Sequence, residues 1–131
     1  VYRHFPLAQL HSRAAKEAEA TECAGEQGGN DAFWAYLDRL FSVTPSNDGL
    51  DPAELPKIAQ YVGLDSQKFE VCLSSGRYAA HVEADTQNAN ETGGNGTPWS
   101  IVVGKGGKKY PLSGAQPYEE VRRLIEQALA E

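Results

Sequence analysis

No run in this chain is apolar for long enough to read as a membrane span, and none has the pattern of a signal peptide. Positive charge is scarce. Twelve Lys and Arg face 18 Asp and Glu, a net charge of −6. That excludes a nucleic-acid surface, which needs clustered cations for phosphates, and argues equally against docking on anionic lipid. The one basic cluster, Lys105, Lys108 and Lys109, reads as a solvated hairpin turn. Cysteine is almost absent: Cys23 and Cys72 form no CxxC pair, and with His4, His11 and His81 they make no spacing that reads as a zinc site, so no metal ligand is expected. There is no G-x-S-x-G, no P-loop and no H-E-x-x-H, which removes the common hydrolase, nucleotide and metalloprotease signatures. Gly104-Lys105-Gly106-Gly107 has the glycines of a phosphate loop but opens no helix, so it reads as a hairpin turn. Methionine is missing as well, and its absence excludes nothing.

What is present fits one globular domain: 131 residues, 40% hydrophobic and 23% charged. The organising stretch is Gly93-Gly94-Asn95-Gly96-Thr97-Pro98-Trp99-Ser100-Ile101-Val102-Val103. Small, turn-forming residues run into a Thr-Pro step, and a β-branched apolar run follows. Pro98 donates no backbone hydrogen bond, so it suits the mouth of a strand, and it biases Thr97 towards an extended backbone. Wedged between a glycine-rich loop and a buried strand, Pro98 is a candidate for a cis peptide, although local sequence alone favours trans.

Residues 1–7 read as a strand closed by Pro6, on the strength of Val1, Tyr2 and Phe5. The first residue is Val, not Met, and already strand-like, which suggests a cut N-terminus. Residues 12–26 are rich in Ala and Glu and predict a helix, capped by Ser12 and ended by Gly25 and Gly28-Gly29. Asn30 or Asp31 caps a second helix with an inward stripe of Phe33, Trp34, Leu37, Leu40 and Phe41. After the loop at 45–49, Asp51-Pro52 opens a helix carrying Leu55, Ile58, Ala59 and Val62, with Pro56 forcing an irregular or 3₁₀ first turn and Gly63 stopping it. Asp65 caps a helix holding Phe69, Cys72 and Leu73 up to Gly76, and residues 77–90 form another. The strand at 99–103 turns back through 104–107 into a strand at 108–112, an antiparallel hairpin. Gln116-Pro117 opens a last helix expected to face Tyr118, Val121, Leu124, Ile125, Ala128 and Leu129 inward. Helices inserted between parts of a small sheet indicate an α/β layer with a helical subdomain.

Four segments, in this order, resemble the DsbA-like thioredoxin-fold family: Val1-Tyr2-Arg3-His4-Phe5-Pro6-Leu7 with Leu10-His11; Glu22-Cys23-Ala24 with Phe33-Trp34; Phe69-Glu70-Val71-Cys72-Leu73-Ser74-Ser75-Gly76; and Gly96-Thr97-Pro98 before a strand. Trp99 departs from the pattern, which has Thr or another small residue there. The resemblance covers nearly the whole chain and implies a single α/β thioredoxin-like domain over 1–131. Residues 1–8 and 97–131 would be its thioredoxin part and about 11–92 a helical insertion. The larger departure is that the family's first strand and CxxC helix are absent, so the chain resembles a member truncated at its N-terminus. That strand would lie between the 1–5 and 99–103 strands, and its loss leaves edges open to pairing with a second copy.

The resemblance implies a thiol–disulfide oxidoreductase acting on cysteine-containing proteins or peptides outside the cytoplasm, with no cofactor, and inactive as it stands for want of its CxxC. Thr97 and Pro98 carry over as substrate-binding residues: Thr97 offers its backbone to an extended peptide, and Pro98 shapes the contact surface. Cys23 and Cys72 admit three readings, a structural disulfide, two buried thiols or a catalytic pair, and the family's second, non-catalytic disulfide points to the first. Two other functions remain open. One is a non-catalytic thioredoxin-like module that binds extended peptides. The other is a glutathione-dependent isomerase or transferase of the same fold, which needs a serine-based thiol site.

Overall fold

The computed structural model describes residues 1–131 and divides into two compact units, Val1–Thr86 and Gln87–Glu131. The chain is mixed α/β, with five helices and one two-stranded sheet.

The first unit is built on α1 (Ala14–Val43), a 30-residue run broken at Gly29. Gly29 has φ 68° and ψ −157°, a backbone region that in practice only glycine occupies, so the expected pair of helices is one rod with a corner. The expected Ser12 cap is not made. The carboxylate of Asp48 accepts from the backbone N–H of both Ser12 and Arg13, at 3.1 Å each. Arg13 in turn donates to the carbonyls of Asp48 and Leu50. A charged acceptor brought in by the fold satisfies these donors better than a local hydroxyl.

A 3₁₀ turn at Pro52–Glu54 leads into α2 (Leu55–Tyr61), and Pro56 falls in the first turn of α2, where its missing N–H costs nothing. Asp51 caps the 3₁₀ turn by accepting from Ala53 N–H. Gly63 follows α2 at φ 84°. Asp65 caps α3 (Ser66–Ser75) through Gln67 and Lys68 N–H, and Gly76 ends it in the left-handed conformation. The core of this unit joins Ala20, Cys23, Ala24, Tyr36, Leu40, Leu50, Leu55, Ile58, Ala59, Phe69 and Cys72.

Two expectations fail here. Residues 1–7 form no strand. A strand needs a ladder partner, and the one sheet pairs only the hairpin strands. The segment is held by side chains instead: His4 N–H donates to Asp85, and Tyr2 packs edge-on against Phe33 and Trp34. The second expectation fails in part: Leu37 and Leu40 of the expected stripe are buried and Phe33 is half-buried, but two of its aromatics are not. Trp34 is 44% exposed and Phe41 70% exposed. The buried aromatic is Tyr36, stacked on Phe69 with ring centroids 5.3 Å apart and its hydroxyl donating to Leu55 O at 3.0 Å. The inward face runs through Phe33, Tyr36, Leu37 and Leu40, and Trp34 and Phe41, seven residues apart, fall on its flank.

Helix α4 (Ala79–Glu91) follows Gly76, and the second unit continues into β1 (Trp99–Val103), β2 (Lys109–Ser113) and α5 (Tyr118–Leu129). β1 and β2 pair antiparallel with Trp99 opposite Ser113, Ile101 opposite Pro111 and Val103 opposite Lys109. Pro111 is tolerated because each strand of a two-stranded ladder has a free side. The turn closes through Gly104 N–H to Lys108 O and Gly107 N–H to Gly104 O, both 2.9 Å. α5 packs on both strands, but its apolar face is only partly covered. Ala128 is buried and Val121 and Leu124 half-buried. Tyr118 at 75%, Ile125 at 42% and Leu129 at 78% lie open, against the inward placement expected. A two-stranded sheet is too narrow to cover them.

Candidate functional site

The Thr97–Pro98 peptide bond is cis, and both residues are exposed. The loop before them is held by the residue that departs from the family pattern. Trp99 lies against Gly94, where an added Cβ would sit 2.9 Å from two atoms of the indole and 2.9 Å from Ala89 O. Only glycine fits between that ring and the end of α4. Gly94 N–H donates to Ala89 O at 2.8 Å, and the Trp99 indole N–H donates to Thr92 Oγ1 at 3.1 Å. On the far side, Gly114 N–H donates to Pro98 O at 2.9 Å, which carries the pairing one step beyond the ladder. Thr97 and Pro98 therefore project from a loop pinned at both ends, at the mouth of β1. The side of β1 away from β2 has no ladder.

Cys23 on α1 and Cys72 on α3 form a disulfide, Sγ–Sγ 2.03 Å, closing a span of 49 residues. Both sulfurs' residues are buried in the helical core, and the chain has no free cysteine. The bridge clamps α1 to α3 beside the Tyr36–Phe69 stack; it reaches no solvent from which a substrate thiol approaches.

Histidines that are scattered in sequence are partly gathered by the fold. His4 Nε2 lies 2.7 Å and His81 Nε2 3.3 Å from the same Glu22 Oε1. His11 stays apart, its backbone bonded to Leu7 O. The sequence held one unused signal for this cluster, the His81/Asp85 pair at helical i,i+4 spacing. His4 and Glu22 come from segments whose approach no local pattern announces.

Burial raises the Tyr2 phenol above its ordinary value, and burial followed by the charge of Glu26 raises Tyr78.

A protein-family model described as the DSBA-like thioredoxin domain matches residues 1–126. Among solved structures, the crystal structure of Pseudomonas aeruginosa DsbA2 superposes with a TM-score of 0.84 at 26% identity, covering 100% of this chain and 71% of that one. Among curated sequences, the Na(+)/H(+) antiporter NhaA 3 of Salinispora tropica is 37% identical over 105 residues. NhaA 1 of Mycolicibacterium gilvum is 34% identical over 107 residues. Each match covers 80% of this chain but only 15% and 16% of the respective relative, so the chain spans under a sixth of those proteins. No helix of the chain is long and apolar enough to cross a membrane.

Proposed function

Because this chain belongs to the DSBA-like thioredoxin domain family, we propose that it is the substrate-facing part of a thiol–disulfide oxidoreductase whose reactive dithiol lies outside these 131 residues. The observation that carries this reading is the pinned, exposed Thr97–Pro98 step at the mouth of a strand with a free edge. Thr97 offers its backbone to an extended peptide, and Pro98, with no N–H of its own, presents a flat apolar wall beside it. A cysteine of that peptide is thereby held for exchange. A thiolate attacks one sulfur of a disulfide, a mixed disulfide forms, and the other sulfur leaves as thiolate.

The grouping of residues 1–8 and 97–131 as the thioredoxin part, with about 11–92 as the insertion, belongs to the same proposal. So does an oxidising, extracytoplasmic compartment, which the use of both cysteines in one buried disulfide supports. The test has two steps. The coding sequence upstream of the Val1 codon is read for a CxxC, and the whole encoded protein, in its oxidised form, is mixed with a dithiol peptide. Transfer of the disulfide to the peptide, with two thiols appearing on the protein, supports the proposal. A gene without a CxxC, or no transfer, contradicts it.

A second reading, a peptide-binding module that performs no thiol chemistry, is favoured by one observation: the two cysteines of the chain are bonded to each other in the core. It predicts peptide binding unchanged when both are replaced.

A further inference from the structure

We propose that His4, Glu22 and His81 form a binding site for a divalent transition-metal ion, Zn²⁺ being the one their chemistry suits. The three come from the N-terminal segment, the first half of α1 and the first turn of α4, all within the unit Val1–Thr86. Each offers one ligand atom, and these atoms lie within 4.8 Å of one another. Glu22 Oε1 is 2.7 Å from His4 Nε2 and 3.3 Å from His81 Nε2. Bonds of about 2.0–2.1 Å in a tetrahedron put neighbouring ligand atoms about 3.3 Å apart. The Glu22–His81 separation already has that value. Completing the set takes an opening of the His4–Glu22 distance by about 0.6 Å and a turn of the exposed His81 ring that closes the longest separation, within 4.8 Å, to about the same 3.3 Å.

Two imidazoles and one carboxylate are the donors of a zinc site with one open position, whereas Ca²⁺ and Mg²⁺ take oxygen. Asp85 supports the arrangement. Its Oδ2 accepts from His4 N–H at 3.0 Å and lies 3.8 Å from His81 Nε2, so it fixes the His4 backbone and stands beside the open position. Burial does the rest. The His4 side chain is 4% exposed and Glu22 22%, which shields the pair from competing water, while His81 at 53% leaves an entry path for the ion. A surface cavity lined by Tyr2, Glu22, Glu26 and Trp34 opens onto Glu22. None of this involves Thr97, Pro98 or any thiol, so the site stands independently of the oxidoreductase reading.

Isothermal titration of ZnCl₂ into the untagged, chelator-treated chain tests it. The expected result is one Zn²⁺ per chain, weakened more than about tenfold by His81→Ala, lost in Glu22→Gln and unchanged in His11→Ala. His81 is half exposed, so its variant folds; circular dichroism of the metal-free proteins checks this, and at one Zn²⁺ concentration the melting temperature of the parent chain should rise by more than that of His81→Ala. X-ray absorption should show only N and O neighbours at about 2.0–2.1 Å. No uptake, uptake indifferent to His81→Ala and Glu22→Gln, or sulfur in the first shell of the ion overturns the proposal.

Discussion

The helical unit Val1–Thr86 closes around its own core, while the hairpin unit Gln87–Glu131 leaves most of its apolar side chains only half-buried or exposed. In the first, α1, α2 and α3 bury a continuous cluster from Ala20 to Cys72 and lock it with a disulfide. In the second, Ala89, Tyr110 and Ala128 are the buried apolar residues, and β1 has a strand on one side only. Tyr110 is fixed at its tip, its hydroxyl donating to Glu131, and Lys108 pairs with the same carboxylate at 3.3 Å. The helical unit buries its apolar residues in one cluster, whereas in the hairpin unit one strand edge, Pro98 and part of the α5 face are exposed.

The contrast can be broken most sharply at the disulfide. Replacing Cys23 and Cys72 by Ala should cost about 4 kcal/mol, because the bridge restrains a 49-residue span of the unfolded chain. Urea denaturation of the two proteins checks it, and a midpoint that does not move contradicts the clamp.

A smaller effect sits at Tyr36. Burial, with the charge of Glu17 adding, pushes its phenol far above the ordinary value. A group whose folded pKa is raised contributes stability that is complete below its unfolded value of about 10 and is lost as pH rises above it. Tyr36→Phe should cost about 1 kcal/mol at neutral pH, since Leu55 O loses its donor. The same variant should flatten the loss of stability at alkaline pH, as followed by thermal melts at a series of pH values.

The smallest effect belongs to the hairpin unit. Leu129→Ser should change stability by less than about 0.5 kcal/mol, because that side chain is already in water. A cost near that of a core residue would show that the α5 face is covered in solution, and the contrast between the units would fall.

Much of this was legible from local chemistry. Asp51, Asp65, Gly63 and Gly76 mark starts and stops because each satisfies or breaks backbone bonds within a few residues of itself. The hairpin follows from glycines between a β-branched run and a returning strand that carries Tyr110 and Leu112. What was not legible depends on partners distant in sequence. Residues 1–7 have strand-forming side chains, yet a strand is a property of a pair. The Asp48 cap, the inward turn of Tyr36 and the meeting of His4, Glu22 and His81 all arise from chain segments that only the fold brings together. At the candidate site, Thr97 and Pro98 stood out in sequence, whereas the clasp of Trp99 on Gly94 did not, because nothing in a Gly-Gly pair says which ring will lie on it.

Under the proposed function, the free side of β1, beginning at Thr97, receives an extended peptide. Titrating the ¹⁵N-labelled chain with an unstructured cysteine-containing peptide and following the backbone amides by NMR tests this most directly. Shifts concentrated at Thr97 and in Trp99–Val103, with the amides of the helical core unmoved, are the result expected. Shifts confined to α5 or to the helical unit, or none at peptide saturation of the accessible range, would contradict it.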